Sequence, residues 1–185
     1  MEKEVFKAIF ERRSVRRFSG EQIPQETMRQ ILRAGVMAPS AMNKQPWRFC
    51  VIQDQSKIQE YDQKAVQGCI DDGIEERLGV SLEGQSIFFN APTLVLVSAD
   101  RNWEWKRDDC NLAIQNMFLA AYSLGVGSCW IGFGLGLDKD SSVRSELGIP
   151  DEEEIIAALI FGFPQKKSIA VPDRDVIIHA WIGSS

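Results

Sequence analysis

Histidine is almost absent from this chain of 185 residues. The one histidine, His179, lies in the apolar run VIIHAWI, where an imidazole is more often a packed side chain than a base. Because both chemistries depend on imidazole, hydrolysis by a histidine-centred triad and metal binding by several histidines are nearly excluded.

Cysteine is also sparse, and its spacing fits neither a zinc site nor a disulfide framework. The four cysteines are Cys50, Cys69, Cys110 and Cys129, far apart and without a C-x-x-C pair. Cys50 and Cys129 stand in apolar, strand-like runs, where a buried thiol behaves as a small hydrophobic group. We therefore expect neither a disulfide nor a bound metal.

Long apolar segments and an excess of basic residues are missing too. No run approaches the ~20 residues of a membrane span, and the charged segment MEKEVFKAIFERR lacks the apolar centre of a signal peptide. The net charge is −5, from 21 basic and 26 acidic residues, which disfavours nucleic acid as a partner. We expect a cytoplasmic protein that binds neither membrane nor nucleic acid, with a single domain over 1–185.

The familiar phosphate-binding sequences do not occur. There is no G-x-x-x-x-G-K-[ST], and GVGSCWIGFGLG does not fit G-x-G-x-x-G because its glycines follow a helix rather than open one. No paired carboxylates and no nucleophile–base pair stand out. An enzyme with this sequence would take its chemistry from a cofactor.

The segments that are present predict a mixed α and β domain. Helical periodicity is found at 3–11, from Ile23-Pro24 to a stop at Pro39, at 107–124 with Gly125 as C-cap, and at about 139–147. Strand-like composition is found at 47–53, 93–99, 128–133 and 155–162, and again in the terminal run VIIHAWI. Residues 56–90 look helical, but their glycines predict several short pieces.

Two polar segments could bind a ligand. ERRSVRRF holds four arginines, and an extended backbone would turn Arg12, Ser14 and Arg16 to one side, where they suit a phosphate; a solvated basic patch remains the alternative. The loop APSAMNKQPWRF is rich in amides and suits a planar polar ligand, with Trp47 anchored in the core at the start of a strand.

Four segments together carry a resemblance to a known family. ERRSVRRF, APSAMNKQPWRF, DCNLAIQNMFLAAYSLGVGSCWIG and GFP…PDRD resemble, in the same order, the nitroreductase family of FMN-dependent oxidoreductases. The resemblance implies an α+β nitroreductase-like fold, with a mainly antiparallel sheet packed between helices and the 108–124 helix at its centre. It also implies FMN as cofactor and NAD(P)H as co-substrate.

The resemblance assigns roles to twelve residues. Arg12, Arg13, Ser14 and Arg174 would contact the phosphate and the ribityl chain. Arg16 would be the cation beside the N1/O2 edge of the flavin. The polar ring edge is met by the backbone of Pro39, Ser40 and Ala41 and by the side chains of Asn43 and Gln45; the backbone of Ile131 and Gly132 approaches N5. A guanidinium at the ring edge would stabilise the reduced, anionic flavin. Some members have a basic residue where this chain has Pro172, which leaves the phosphate one donor fewer.

The activity implied is a two-step transfer with no catalytic side chain. NAD(P)H reduces FMN at N5 and leaves, and the flavin then reduces a nitroaromatic, a quinone or a similar small acceptor. Reductive dehalogenation, enone reduction and flavin fragmentation on the same fold stay open, as does flavin binding without turnover.

The resemblance further implies a homodimer with two shared flavin sites. In the family, the arginine segment of one subunit and the P-S-x-x-N loop of the other enclose each FMN. An apolar terminal run at a sheet edge invites aggregation unless it is paired, so we expect VIIHAWI to be exchanged onto the partner's sheet and to carry Arg174 across to a phosphate. An edge strand in the chain's own sheet is the alternative.

Overall fold

The computed structural model describes residues 4–166 and 173–183. The helices in that part of the chain are α1 (Glu4–Glu11), α2 (Gln25–Gly35), α3 (Gln55–Asp71), α4 (Ile74–Leu78), α5 (Lys106–Ser123) and α6 (Ser141–Leu147). The strands are β1 (Arg48–Ile52), β2 (Thr93–Asp100), β3 (Gly127–Ile131) and β4 (Glu153–Gly162). Two short 3-10 segments cover Ala41–Asn43 and Gly132–Lys139.

The strands form one antiparallel sheet in the order β1-β2-β4-β3. β2 and β4 lie at its centre and are buried along almost their whole length, as their apolar sequences predict. Their register is interrupted once, between Val97 and Ser98. The predicted antiparallel sheet is confirmed.

Helices cover both faces of this sheet. Leu94 and Leu96 point into a core shared with α3, whereas Val95 and Val97 point into a core shared with α2 and α5. This alternation follows from the two-residue period of a strand, which sends successive side chains to opposite faces. The predicted α+β arrangement, a sheet between helices, is confirmed.

α5 begins and ends within one residue of the predicted 107–124. Its buried side chains include Ile114, Met117 and Phe118. Gly125 follows the helix with a φ of 73°, a conformation that glycine adopts without steric cost, so the predicted C-cap is confirmed. The opposite side of α5 is open to solvent, and Leu112 is exposed there.

The prediction of short helical pieces over 56–90 is wrong for its first half. α3 runs for 17 residues and passes through Gly68 without a break. A side chain at Gly68 would place its Cβ 2.2 Å from the carbonyl oxygen of Gly136, so this glycine serves close packing rather than a turn. Gly73 and Gly79 do bound the short α4, with φ values of 64° and 65°.

The C-terminal run does not join the sheet of its own chain. Residues 173–183 form neither helix nor strand, and Val176, Ile177, Trp181 and Ile182 are exposed, Trp181 to 85%. An edge strand in the chain's own sheet is therefore not formed. Pro172 lies outside the described residues.

None of the helices in the described part of the chain is long and apolar enough to span a membrane.

Candidate functional site

The arginine segment is extended and lies beside the start of β3. Val15 donates its backbone N–H to the carbonyl oxygen of Ser128 at 3.0 Å, and its side chain is buried. Ser14 and Arg16 on either side are exposed, so the predicted alternation holds around Val15. The close approach requires Gly127, because a Cβ there would lie 2.8 Å from the Val15 Cβ.

A cavity of about 380 Å³ opens next to this segment. Arg12, Arg13 and Lys166 line it, together with Ser128 and Tyr122. Glu11 also lines it and accepts the Tyr122 hydroxyl. The three cations outnumber this one carboxylate and form a donor set that suits a dianionic phosphate, so the residues present fit the phosphate end of FMN.

Arg12 is partly buried among these cations. Its pKa is lowered first by burial and then by the charges of Arg13 and Arg174. The guanidinium also lies 5.5 Å from the centroid of the Phe118 ring. Since a bound anion would relieve this repulsion, the cluster is suited to an anionic ligand.

Arg174 thus acts on Arg12 of its own chain. The expectation that an exchange carries Arg174 to a partner's phosphate stays a prediction; within one chain, its charge lowers the pKa of Arg12.

Arg16 contacts a turn at Phe89 and Asn90 that the sequence did not indicate. Its guanidinium is 5.8 Å from the centroid of the Phe89 ring. Phe89 and the following Asn90 have φ values of 54° and 51°, which are strained for non-glycine residues and frequent at functional sites. Asp62 of α3 anchors the turn, accepting the backbone N–H groups of Ile87 and Phe88 at 2.8 and 3.3 Å.

The end of β3 leaves one stretch of backbone accessible. Ile131 is buried, but a Cβ added to Gly132 would meet no atom within 4 Å. Gly134 and Gly136 differ, because a Cβ at either would clash with Ala158 or Ala65. The open backbone at Gly132 is compatible with the approach of a planar ring, whereas the next two glycines are packing residues.

The amide-rich loop has a strained and self-bonded conformation. Met42, Asn43 and Gln45 have φ values of 53°, 53° and 48°. Gln45 donates its backbone N–H to the Ser40 hydroxyl and its side-chain NH₂ to the Asn43 amide oxygen, both at 2.9 Å. The Asn43 amide nitrogen and the Gln45 amide oxygen remain as a neighbouring donor and acceptor, a pairing that suits the edge of a flavin ring.

Two further loop residues, Ala41 and Trp47, contact the rest of the chain. Ala41 donates its N–H to the Asp109 carboxylate at 2.8 Å and accepts the Lys44 N–H, so both of its backbone groups are already bonded within the chain. Trp47 is buried, which confirms it as a core anchor. Pro39 lies four positions after Gly35, the last residue of α2, so the helix ends before the predicted stop.

Asp109 belongs to the site although no sequence motif indicated it. Its carboxylate is 3% exposed and also accepts the Trp103 indole N–H at 2.7 Å. The only signal was its place in an acidic first turn, which is common in helices that have no further role.

Within one chain, the two predicted halves contact α5 at different points. We call Arg12–Arg16 with Arg174, Ile131 and Gly132 the arginine half-site, and Pro39–Gln45 the loop half-site. The first contacts α5 at Phe118, and the second contacts it at Asp109. Nine residues of helix separate these contacts, about 14 Å at 1.5 Å per residue.

Comparisons with known proteins identify a family. The model of the nitroreductase family matches residues 9–163. An Archaeoglobus fulgidus protein with the provisional name NADH dehydrogenase/NAD(P)H nitroreductase is 30% identical over 167 residues, 88% of this chain and 86% of the relative. The iodotyrosine deiodinase of Thermotoga neapolitana is 27% identical, over 91% of this chain and 92% of its own.

A solved structure is similar over the full length. The crystal structure of a nitroreductase from Bacteroides fragilis, with bound FMN, has a TM-score of 0.82 and 32% identity, over 99% of this chain and 100% of that one. With the family model covering most of the chain and the architecture shared from end to end, this protein belongs to the nitroreductase family.

Proposed function

We propose that this protein is an FMN-dependent NAD(P)H oxidoreductase that reduces a nitroaromatic, a quinone or a similar small acceptor in two steps, as a homodimer with shared flavin sites. The observation that carries the proposal is the cationic cavity beside Arg12. When bound, FMN supplies hydride and electron transfer at its ring.

The arginine half-site would hold the phosphate end of the cofactor. Arg12, Arg13 and Lys166 converge on one cavity, and Arg174 adds its charge to Arg12. Such a cluster suits the terminal phosphate of FMN, whereas the pyrophosphate of FAD would call for a glycine turn at a helix N-terminus. Relatives that bind FMN support this choice.

Arg16 would act on the ring itself. Its charge lies on the exposed side of the segment and its guanidinium is steadied by the Phe89 ring. A fixed cation beside the ring stabilises the negative charge that the flavin gains on reduction. The protein thus contributes position and electrostatics, and no side chain needs to act as a nucleophile.

A second copy of the chain would complete each site. The two half-sites face different ends of α5 within one chain, so a twofold axis near the middle of that helix would place each loop half-site against the partner's arginine half-site. Large apolar side chains of α1, including Phe6 and Phe10, and Leu112 of α5 are exposed, which is typical of a surface covered in an assembly.

The terminal run has a suitable acceptor edge in such a dimer. The outer edge of β3 is approached by Val15, but among the described residues nothing pairs with the outer edge of β1. A cleft of about 250 Å³, lined by Met28, Leu32 and Val51, lies beside that edge. We infer that the partner's residues 176–182 add to β1 and place apolar side chains in this cleft.

The visible spectrum and mass of the released ligand test the cofactor. The purified protein should be yellow, bleach with NAD(P)H, and release FMN. FAD, or no flavin in several preparations, would contradict the proposal. A flavin-binding protein without turnover would not oxidise NAD(P)H when a quinone is supplied.

A mixed dimer tests the shared site. One tagged chain carries Arg12→Ala and the other carries Asn43→Ala with Gln45→Ala. If each site draws on both chains, one site has both defects and the other is intact, so half of the sites should bind FMN with wild-type affinity. If each chain holds a whole site, no site of wild-type affinity can form.

Dehalogenation is the second candidate. It is favoured only by the 27% identity to an iodotyrosine deiodinase, which is weaker than the similarity to nitroreductase-named proteins. Reduced protein offered a nitroaromatic and a halotyrosine in parallel separates the two, since release of halide as the faster reaction would favour dehalogenation.

A further inference from the structure

We infer that Asp109 is a positioning residue, whose buried carboxylate holds the loop half-site in the conformation that receives the flavin ring. The inference rests on the proposed function and adds a residue that contacts no ligand itself. One carboxylate oxygen accepts the Ala41 N–H at 2.8 Å, and the other accepts the Trp103 indole N–H at 2.7 Å.

The loop needs such an anchor because of its backbone strain. Ala41 lies immediately before Met42 and Asn43, and all of the loop's left-handed residues follow within four positions. Residues with positive φ persist only where surrounding contacts impose them. The hydrogen bond to Asp109 fixes the peptide N–H of Ala41, just before the left-handed residues. It therefore also fixes the direction of the Asn43 and Gln45 amides.

Trp103 attaches the same loop a second time. While its indole N–H orients the Asp109 carboxylate, its ring lies 5.7 Å from the Lys44 ammonium group. Trp105 packs edge-on against Trp103, with ring centroids 5.3 Å apart. Asp109 and Trp103 therefore hold the loop at Ala41 and at Lys44, on either side of Met42 and Asn43.

A carboxylate is the side chain that this arrangement requires. Two N–H donors converge on it from different directions, and an ionised carboxyl group is the acceptor-only side chain with two oxygens. Asparagine has a similar shape but would direct an NH₂ group at one of the two donors. Asp108 provides a matched control, because it lies in the same first turn of α5 and is exposed.

The test compares Asp109→Asn with Asp108→Asn for binding of FMN and of riboflavin, which lacks the phosphate. Asp109→Asn should raise the dissociation constants of both flavins by the same factor, about tenfold to a hundredfold for a buried donor left unpaired. Asp108→Asn should change neither by more than about twofold, as is usual for a surface substitution. Arg12→Ala should weaken FMN far more than riboflavin.

A second readout uses the protein without flavin. Trypsin cleavage after Lys44, compared with cleavage at the other basic residues, should increase in Asp109→Asn and not in Asp108→Asn. If Asp109→Asn does not fold, Trp103→Phe takes its place; it removes one donor from the carboxylate and should show the same pattern with smaller changes.

Two results separate the possible failures. The positioning role would be overturned if Asp109→Asn or Trp103→Phe had flavin dissociation constants within twofold of wild type and unchanged cleavage at Lys44. The proposed function would still stand. A wild-type protein that binds neither flavin would overturn the proposed function, and the inference with it.

Discussion

The two ends of α5 prepare a ligand site in different ways. At the arginine end, several cations share a cavity, and burial with mutual repulsion lowers the pKa of Arg12. At the loop end, the Ala41 N–H is bonded to Asp109, the Ala41 carbonyl accepts the Lys44 N–H, and the Gln45 side chain donates to the Asn43 amide oxygen. The arginine end gains most from an anion, whereas the loop end is shaped beforehand by its own hydrogen bonds. We therefore propose that the first supplies affinity and the second supplies orientation.

The largest expected effect tests whether the two ends meet only in a dimer. Deletion of 171–185 should abolish dimerisation and FMN binding together, because it removes Arg174 as well as the apolar run that would cover the partner's β1. Light scattering and the flavin spectrum measure both. Deletion of 183–185 alone is the control and should leave both intact. A truncated protein that stays a yellow dimer would contradict the shared-site arrangement.

The next effect compares affinity at the two ends. Arg12→Ala should weaken FMN binding by roughly 1.5–3 kcal/mol, as for a charged hydrogen-bonding group, and Asn43→Ala by about 0.5–1.5 kcal/mol, as for a neutral one. Titration of the apoprotein with FMN measures both. Arg17→Ala provides the control within the arginine segment, since Arg17 is outside the cavity lining. A larger loss from Asn43→Ala would reverse the assignment of the two ends.

A smaller effect concerns the flavin potential. Arg16→Ala should lower the potential of bound FMN by roughly 30–60 mV, taking 1.5–3 kcal/mol for the charge and two electrons. Phe89→Leu should act in the same direction by roughly 10–20 mV, because it removes only a cation–π contact. Potentiometry in saturating FMN gives both values. An unchanged potential in Arg16→Ala would refute the role of its charge.

The smallest effect is a change in the pH dependence of stability, reported by one thiol near each end of α5: Cys110 at the loop end and Cys129 at the arginine end. Burial raises the pKa of both thiols: the pKa of Cys110 rises to about 12, raised further by Asp109, whereas nearby Arg16 and Ser14 partly offset the rise for Cys129. A raised folded-state pKa means that stability is present below the unfolded value near 9 and is lost as pH rises above it, by at most about 1.4 kcal/mol per pH unit for each thiol. As the pH is raised from 8 to 10, the unfolding midpoint should fall least in Cys110→Ala and by a slightly larger amount in Cys129→Ala. Equal slopes in both variants and the wild type would refute the assignment.

The sequence by itself determined the elements and the kinds of residue at each half-site. Continuous apolar runs became the buried β2 and β4, Gly125 ended α5, and the arginine and amide segments were recognisable from side-chain chemistry alone. These features depend on local composition and periodicity, which the order of residues states directly.

Only the tertiary structure decided how distant residues meet. Gly68 continues a helix because Gly136 packs against it, and Asp109 anchors a loop 68 positions away. Arg174 adds its charge to Arg12, and the two half-sites contact α5 nine residues apart. Contacts of this kind depend on how the sheet and helices pack, and no local pattern encodes the neighbour that packing will bring to a given side chain.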